Sequence, residues 1–391
     1  MHARPVTESI EWVGAIDWDR RLFDELIPLP DGTSYNAYLV RGARGTALID
    51  SVDPAFTEVL LSRLAGAGAS RIDYVVAQHA EQDHSGSIPR VLAEHPEARV
   101  LATEKCRTML SDLLDVPADR VRAVRDGERV DLGGLTLEFV HFPWVHWPET
   151  MLTWVPERRV LFTCDLFGSH LATSSTFAGG DPEILLGAKR YYAEILMPFR
   201  GVIEKHIGRV TGLDAAFIAP SHGPVHDEPK AILDAYRDWV LGPPRNLVVV
   251  PYVSMHDSTR RMVERFVEAC ARRGVRVEQF SLTDPDIGKL AMLLVDAATI
   301  VLGTPTVLGG PHPNVAYAAQ LANLIRPKAR YVSVIGSYGW GGKVVEQLSA
   351  MISALKVEIV QPVLCKGLPR LADLEALDRL ADAIAERHAA L

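Results

Sequence analysis

Paired cysteines are missing from this chain. Only four of its 391 residues are cysteine, Cys106, Cys164, Cys270 and Cys365, and no two form a Cys-x-x-Cys pair. That excludes a disulfide framework and a cysteine-ligated metal centre, and it fits a reducing cytoplasm. No apolar run approaches the roughly 20 residues of a membrane span. The start, Met1 to Ser9, has no charged segment followed by an apolar one, so export is not expected. Positive charge is in deficit too. A net charge of −8 and a pI near 5.9 argue against a general nucleic-acid or anionic-membrane surface, while leaving room for a local basic patch toward an acidic redox partner. Internal repeats and low-complexity tracts are absent.

What is present suits two cored domains, since the chain is 48% apolar and 23% charged over a length that two such domains require. Short strand-like runs fill the opening third: 11–16, 34–40 and 46–50, separated by Gly, Pro and Asp clusters. Helical spacing follows over 56–64 and from Ile88 to His95, strand-like pieces recur at 135–140 and 151–155, and a long helical passage is expected from about Leu186 to Gly208. A further helix, 228–241, stops at Gly242-Pro243-Pro244-Arg245, a linker that sets the expected domains at 1–243 and 246–391. Beyond it, apolar strands at 246–253, 276–280, 299–303, 330–336 and 358–360 alternate with helical stretches, the signature of a doubly wound parallel sheet with ligand at the strand carboxyl ends.

The densest chemistry lies in Gln78-His79-Ala80-Glu81-Gln82-Asp83-His84-Ser85-Gly86, directly after the apolar run 73–77. Side chains two apart on extended chain share a face, so His79, Glu81 and Asp83 are expected to point into one pocket, with His84 joining through a kink after Asp83. A polar loop that happens to hold two histidines is the bland alternative. Three more candidates sit beside apolar runs: His146 in Val145-His146-Trp147-Pro148-Glu149-Thr150-Met151, Asp165 after 160–164, and His222 after 217–221. Sites in layered α/β folds collect at such strand ends.

This pattern resembles that of the metallo-β-lactamase superfamily, with Glu81 where a second histidine is usual. Three carboxylates, Glu81, Asp83 and Asp165, make a harder and more anionic site than a zinc hydrolase offers, and suit iron cycling between ferrous and ferric. With that glutamate the pattern resembles the flavodiiron proteins, or A-type flavoproteins. The resemblance implies that His79, Glu81 and His146 bind one iron, that Asp83, His84 and His222 bind a second, and that Asp165 bridges them. It also places a tyrosine from the Tyr191-Tyr192 helix near the metals, although such a pair is more often core. Trp147 is a candidate flavin neighbour or a core residue, His170 a candidate support for the ligands, and His141 and His226 are read as non-ligands.

Three loops of the second half are similar to the family's flavin loops. Ser254-Met255-His256-Asp257-Ser258-Thr259 precedes a helix whose amino end suits a phosphate, though a plain helix cap reads equally well. Its His-Asp-Ser replaces the usual Tyr-Gly-Asn, which removes a glycine and brings in an acidic Asp257 that is unfavourable beside a phosphate unless it points away. Pro305-Thr306-Val307-Leu308-Gly309 and Ser337-Tyr338-Gly339-Trp340-Gly341 resemble the isoalloxazine loops, with small residues for close approach and aromatics to pack on a flat ring.

The expected fold is therefore a metallo-β-lactamase-like αββα sandwich followed by a flavodoxin-like, doubly wound, five-stranded parallel sheet. The resemblance implies an oxidoreductase with FMN and a non-haem diiron centre, reducing dioxygen to water, nitric oxide to nitrous oxide, or both. With no rubredoxin-like pair of Cys-x-x-Cys motifs, electrons are expected from an external donor such as rubredoxin, a flavin reductase or a reduced deazaflavin. A head-to-tail homodimer, or a dimer of such dimers, is the implied assembly. The competing readings are a zinc metallo-hydrolase with an accessory flavodoxin-like domain, and a flavin carrier whose metal site is structural.

Overall fold

The computed structural model describes residues 1–391. It divides into two compact units, Met1–Tyr192 with Phe199–Val240, and Leu241–Leu391 with Ala193–Pro198.

The first unit is a sandwich of two mixed sheets. One sheet runs in the order Arg4–Thr7, Ile10–Trp12, Tyr38–Arg41, Thr46–Ile49, Tyr74–Val76, Arg99–Ala102, Val121–Ala123, and the other Arg129–Asp131, Thr136–His141, Met151–Val155, Val160–Cys164, Phe217–Pro220. Alternation along each strand builds the layers. Val40, Ile49, Val76 and Leu101 face Leu137, Phe139, Met151 and Phe162 between the sheets. Leu39, Leu48, Val75 and Val100 point the other way and bury Leu60, Leu64, Ile88, Val91 and Leu110 of the covering helices. The run expected over 11–16 is broken at Val13-Gly14 into Ile10–Trp12 and Ala15–Asp17, and there the Tyr35 backbone passes so close that a Cβ on Gly14 would lie 2.3 Å from its carbonyl oxygen.

The connections that matter to a site are parallel. Thr46–Ile49 pairs with Tyr74–Val76, that strand with Arg99–Ala102, and Val160–Cys164 with Phe217–Pro220, so their carboxyl ends open on common edges. The long helical passage is interrupted. Pro182–Tyr191 and Arg200–Thr211 are α-helical, but Tyr192–Leu196 forms a π turn and Met197–Phe199 a 3-10 turn. Pro198, which cannot donate a backbone hydrogen bond and crowds the preceding turn, accounts for the interruption.

The second unit is a parallel sheet in the order Arg276–Ser281, Arg245–Tyr252, Ala297–Val307, Tyr331–Tyr338, Glu358–Ile359, the flavodoxin-like order. Val248, Val250, Val301 and Ile335 pack on Met262 and Phe266 of helix Ser258–Ala271 and on Leu377, Leu380 and Ile384 of helix Leu371–His388. The fifth strand is split at Gln361-Pro362 into Glu358–Ile359 and Val363–Lys366, both paired with Tyr331–Tyr338, since proline has no N–H for the ladder.

His388, in the last turn of its helix, is buried. Its Nδ1–H donates to Asn246 Oδ1 at 2.8 Å, which leaves Nε2 to accept from the Thr299 hydroxyl at 2.7 Å. Burial pushes its pKa below the ordinary 6.5. The unfolded chain therefore takes up a proton on acidification that the folded chain refuses, and stability present above about pH 6.5 is lost as pH falls below it. Guanidinium midpoints of the full chain at pH 7.5 and 5.5 are expected to drop further for the unsubstituted protein than for His388→Gln. Equal drops would contradict the assignment.

Candidate metal centre and flavin cleft

The stretch after Tyr74–Val76 stays extended only as far as Glu81, then Gln82–Ser85 makes one helical turn. Expecting His79, Glu81 and Asp83 on one extended face was therefore too simple. Ser85 enforces the turn, its hydroxyl reaching the carbonyls of Ala80 at 2.7 Å and Glu81 at 2.9 Å, while Ser51 fixes the carbonyl of His84 through both N–H and hydroxyl at 2.7 Å. The extended part presents His79 and Glu81, and the helical part presents Asp83 and His84.

All seven candidates meet in one place. Asp165 is fully buried and faces four imidazoles, with Oδ2 3.6 Å from His79 Nε2 and 3.3 Å from His146 Nε2, and Oδ1 3.2 Å from His84 Nε2 and 3.5 Å from His222 Nε2. Glu81 Oε2 lies 3.0 Å from His79 Nε2 and 3.2 Å from His146 Nε2. Asp83 Oδ1 lies 3.3 Å from His84 Nε2, and its Oδ2 3.2 Å from His222 Nε2. The pocket thus has two halves, His79-Glu81-His146 and Asp83-His84-His222, that share Asp165. A Cβ on Gly223, which follows His222 at φ +78°, would meet Ser169 Oγ at 2.1 Å, so only glycine lets this strand end fold back.

The donor set fits a pair of cations. Ligand atoms lie within 4.8 Å of one another in each of the trios His79-Glu81-His84, His79-His146-Asp165 and Asp83-His84-His222. Both carboxylate oxygens of Asp83 are buried with no hydrogen-bond partner, which is costly for a carboxylate unless a cation sits against it. In the metal-free chain protons play that part. Burial alone would lower the histidine pKa values, but the surrounding carboxylates prevail and raise His79 and His222 to about 10 and His84 and His146 to about 9. For Glu81 and Asp165 burial opposes ionisation, yet the facing imidazoles hold both well below the ordinary carboxylate range.

Supporting contacts differ among the histidines. His79 Nδ1–H donates to Glu149 Oε1 at 2.7 Å, and the same oxygen accepts the Ala80 N–H at 3.0 Å. His222 Nδ1–H donates to the carbonyl of Ser34 at 2.7 Å, and buried His84 Nδ1 has no partner. Tyr191 donates its hydroxyl to Asp165 Oδ1 at 2.7 Å, while Tyr192 is core against Tyr236 and Trp239. Trp147 stands edge-on to His79, ring centroids 4.8 Å apart. His170 packs on His222 at 4.8 Å and on Tyr191 at 4.7 Å, and burial, then the charge of His222, drives its pKa well below 6.5. His141 and His226 bond the backbone carbonyls of Val124 and Phe167.

Two contributions escaped the sequence reading. Glu149 had a signal, a lone carboxylate between Trp147-Pro148 and an apolar strand, three residues past His146. The hairpin of Leu22–Phe23 and Ile27–Pro28 had none. It brings Phe23 to 5.1 Å from His170 and 6.4 Å from His222, and Asp24 has its pKa raised by burial and then by the charges of Glu81 and Asp83.

In the second unit the three expected loops surround an open cleft of 340 Å³. Ser254, Met255, His256, Ser258, Thr259, Pro305, Thr306, Ser337, Tyr338, Gly339 and Trp340 line it, with Gly367, which was not anticipated. Thr259 and Ser337 hydroxyls meet at 3.0 Å across its floor. Asp257 takes φ +62° without glycine and turns to Arg260, 3.1 Å away. Asp257, Val307, Leu308, Gly309 and Gly341 lie outside the lining; Leu308 is 99% exposed at a hairpin tip.

Sandwich, pocket and cleft together define a metallo-β-lactamase-like protein that carries a flavodoxin-like unit. Residues 33–223 match the ODP family of β-lactamases. The chain is 34% identical over 395 residues to a nitric oxide reductase of Moorella thermoacetica, with 98% of each chain covered, and 33% identical to a type A flavoprotein of Rhodobacter capsulatus, covering 95% of this chain and 88% of that one. It superposes on the rubredoxin oxygen:oxidoreductase of Desulfovibrio gigas with a TM-score of 0.94 at 29% identity, covering 99% of both chains. The chain belongs to the type A flavoprotein, or flavodiiron, family and is an oxidoreductase.

Because the four imidazoles hold protons above neutrality in the metal-free chain, each must release one to bind a cation. Ferrous iron added to metal-free protein at pH 7 is expected to liberate protons, and its apparent affinity is expected to rise with pH up to about 10. A pH-stat titration measures both. Asp165→Asn is expected to lose most of the bound metal, read by elemental analysis, because that carboxylate faces both halves.

Proposed function

We propose that this chain reduces dioxygen to water, nitric oxide to nitrous oxide, or both, at a non-haem diiron centre supplied with electrons through FMN. In this reading His79, Glu81 and His146 would hold one iron and Asp83, His84 and His222 the other, with Asp165, which faces both sets, shared between them. The observation that carries it is Glu81 in contact with both His79 and His146. A carboxylate there gives each half two imidazoles and one carboxylate, a hard donor set suited to redox-active iron.

The iron pair supplies redox equivalents and open coordination positions for a small gas, and FMN delivers electrons to it. The chain's own groups do the rest. Tyr191, whose phenol is kept protonated by burial and by the charge of Asp165, holds a proton at its hydroxyl and donates a hydrogen bond to Asp165 Oδ1. Phe23 and Trp147 wall the pocket against bulk water. In the cleft, Ser254, Ser258 and Thr259 at the amino end of helix Ser258–Ala271 would hold the FMN phosphate, and Tyr338 and Trp340 would flank the ring. Asp257, paired with Arg260, leaves that phosphate site free of opposing charge.

The reading includes a division of labour between 1–243, carrying the metals, and 246–391, carrying the flavin. A head-to-tail homodimer, alone or paired into a dimer of dimers, presents the flavin of one subunit to the metals of the other. Support comes from the apolar rim of the cleft, where Trp340 is 89% and Met255 53% exposed, large apolar surface that a partner would cover. The electrons come from rubredoxin, a flavin reductase or a reduced deazaflavin. No helix is long and apolar enough to cross a membrane, and four buried, unpaired cysteines suit the cytoplasm.

Anaerobic stopped-flow tests the reading: iron- and flavin-loaded protein, fully reduced, is expected to reoxidise within seconds on mixing with at least one of the two gases. Failure with both would refute it. The cleft assignment has its own check. Ser258→Ala is expected to weaken FMN binding about tenfold, roughly 1.4 kcal/mol, while leaving riboflavin, which lacks the phosphate, unaffected in fluorescence titrations.

A further inference from the structure

Each half of the pocket offers the same donors, two imidazoles and one terminal carboxylate, with Asp165 shared. Chemical difference between the halves must come from what stands behind those donors. Two contacts supply it, and both act in the same direction.

Behind His79 stands a full negative charge. Glu149 Oε1 accepts the His79 Nδ1–H at 2.7 Å and the Ala80 N–H at 3.0 Å, while Glu149 Oε2 is buried and has no partner, so His79 is the one ionisable group paired with this carboxylate. A carboxylate behind an imidazole draws the proton on Nδ1 and pushes electron density to Nε2, the nitrogen that faces the pocket. His222 in the other half has only the neutral carbonyl of Ser34 in that position, and His84 Nδ1 has no partner at all. The loop is anchored to hold Glu149 there. Thr103 donates its hydroxyl to the carbonyl of Glu149 at 3.0 Å, and the Met151 N–H bonds the carbonyl of Gln78, next to His79, at 3.0 Å.

The second contact falls on the shared carboxylate. Asp165 Oδ2 faces His79 and His146, and Oδ1 faces His84 and His222. Tyr191 donates its hydroxyl to Oδ1 at 2.7 Å, whereas Oδ2 receives only the weak, long contact of the Cys164 thiol at 3.7 Å. The stronger hydrogen bond withdraws more density from its oxygen and leaves the other the better donor. The half containing His84 and His222 is thus served by the weaker oxygen of the bridge as well as by the less strongly supported imidazoles.

We propose that Glu149, acting through His79, and Tyr191, acting through Asp165 Oδ1, make the two metal positions electronically unequal, so that the first electron entering a diferric pair settles on the position of Asp83, His84 and His222. The balance is simple: one electron from the reduced flavin, or from dithionite in a titration, converts one ferric ion to ferrous there, and a second electron reduces the ion held by His79, Glu81 and His146. Glu149 and Tyr191 are positioning residues in this scheme, each working through a ligand. The proposal rests on the diiron reading above and goes beyond it by assigning the order in which the two positions are reduced.

The test is a dithionite titration of the full-length, iron-loaded protein, with the half-reduced state followed by electron paramagnetic resonance and Mössbauer spectroscopy of iron-57. In the unsubstituted protein two separated one-electron steps and a strong half-reduced signal are expected. Glu149→Gln keeps a hydrogen-bond acceptor for His79 but removes the charge, so the later step should move to higher potential with the earlier one in place. Tyr191→Phe removes the donor to Oδ1, so the earlier step should move to lower potential with the later one in place. Each change narrows the separation and reduces the half-reduced signal severalfold, from opposite ends. Iron-loaded variants with both steps unmoved would overturn the proposal, as would movement of the wrong step. If Glu149→Gln fails to hold iron, Tyr191→Phe alone decides, since it removes no charge and no ligand. Iron content is read first and separately, so an unsubstituted protein that takes up zinc and no iron refutes the diiron reading itself.

Discussion

Taking a carboxylate wholly out of water costs several kcal/mol unless positive charge comes with it, and in this chain Asp165 meets that requirement with four imidazoles at 3.2 to 3.6 Å. Much of the first unit serves that encounter. The parallel pairing of Val160–Cys164 with Phe217–Pro220 puts Asp165 and His222 on one edge. The parallel pairing of Thr46–Ile49 with Tyr74–Val76 brings Ser51 next to the turn that carries His84. Apolar packing between the sheets fixes the distance over which the two edges face each other.

The same encounter explains the crowd of further polar groups. With Glu81 and Asp83 added, the pocket holds more acid than its histidines can neutralise when they are uncharged, so in the metal-free chain the histidines keep their protons. Glu149 and Tyr191 each touch one side of this arrangement only, so a donor set that is symmetric in composition is asymmetric in its hydrogen bonding.

The second unit rests on a different constraint, the fixed hand and order of a parallel sheet. Strand order brings the ends of Arg245–Tyr252, Ala297–Val307 and Tyr331–Tyr338 side by side, and the loops that leave them have nowhere to go but around one cleft. Asp257 shows how local chemistry adapts: without the usual glycine, it adopts the left-handed conformation open to a short polar side chain and turns its charge to Arg260.

How much could be read beforehand follows from the range of the forces involved. Strand runs, the flavodoxin-like order, the seven pocket residues and most of the cleft lining were legible, because hydrophobic period, turn residues and motif spacing are local properties of a chain. The split fifth strand and the interrupted helix were also written locally, in Pro362 and Pro198, yet their effect depends on a ladder and a helix that only the fold supplies. The one-turn helix at Gln82–Ser85 was legible only in part, since besides the local Ser85 hydroxyl it is held by Ser51, which follows a strand distant in the chain. The Phe23 hairpin, the Ser34 carbonyl behind His222 and Gly367 were not legible. By itself, then, the sequence determined which side chains gather in the pocket and on which strand ends they sit. Tertiary structure alone decided what stands behind each of them, because a hydrogen bond such as Glu149 to His79 or Tyr191 to Asp165 joins residues far apart in the chain and leaves no periodic trace along it.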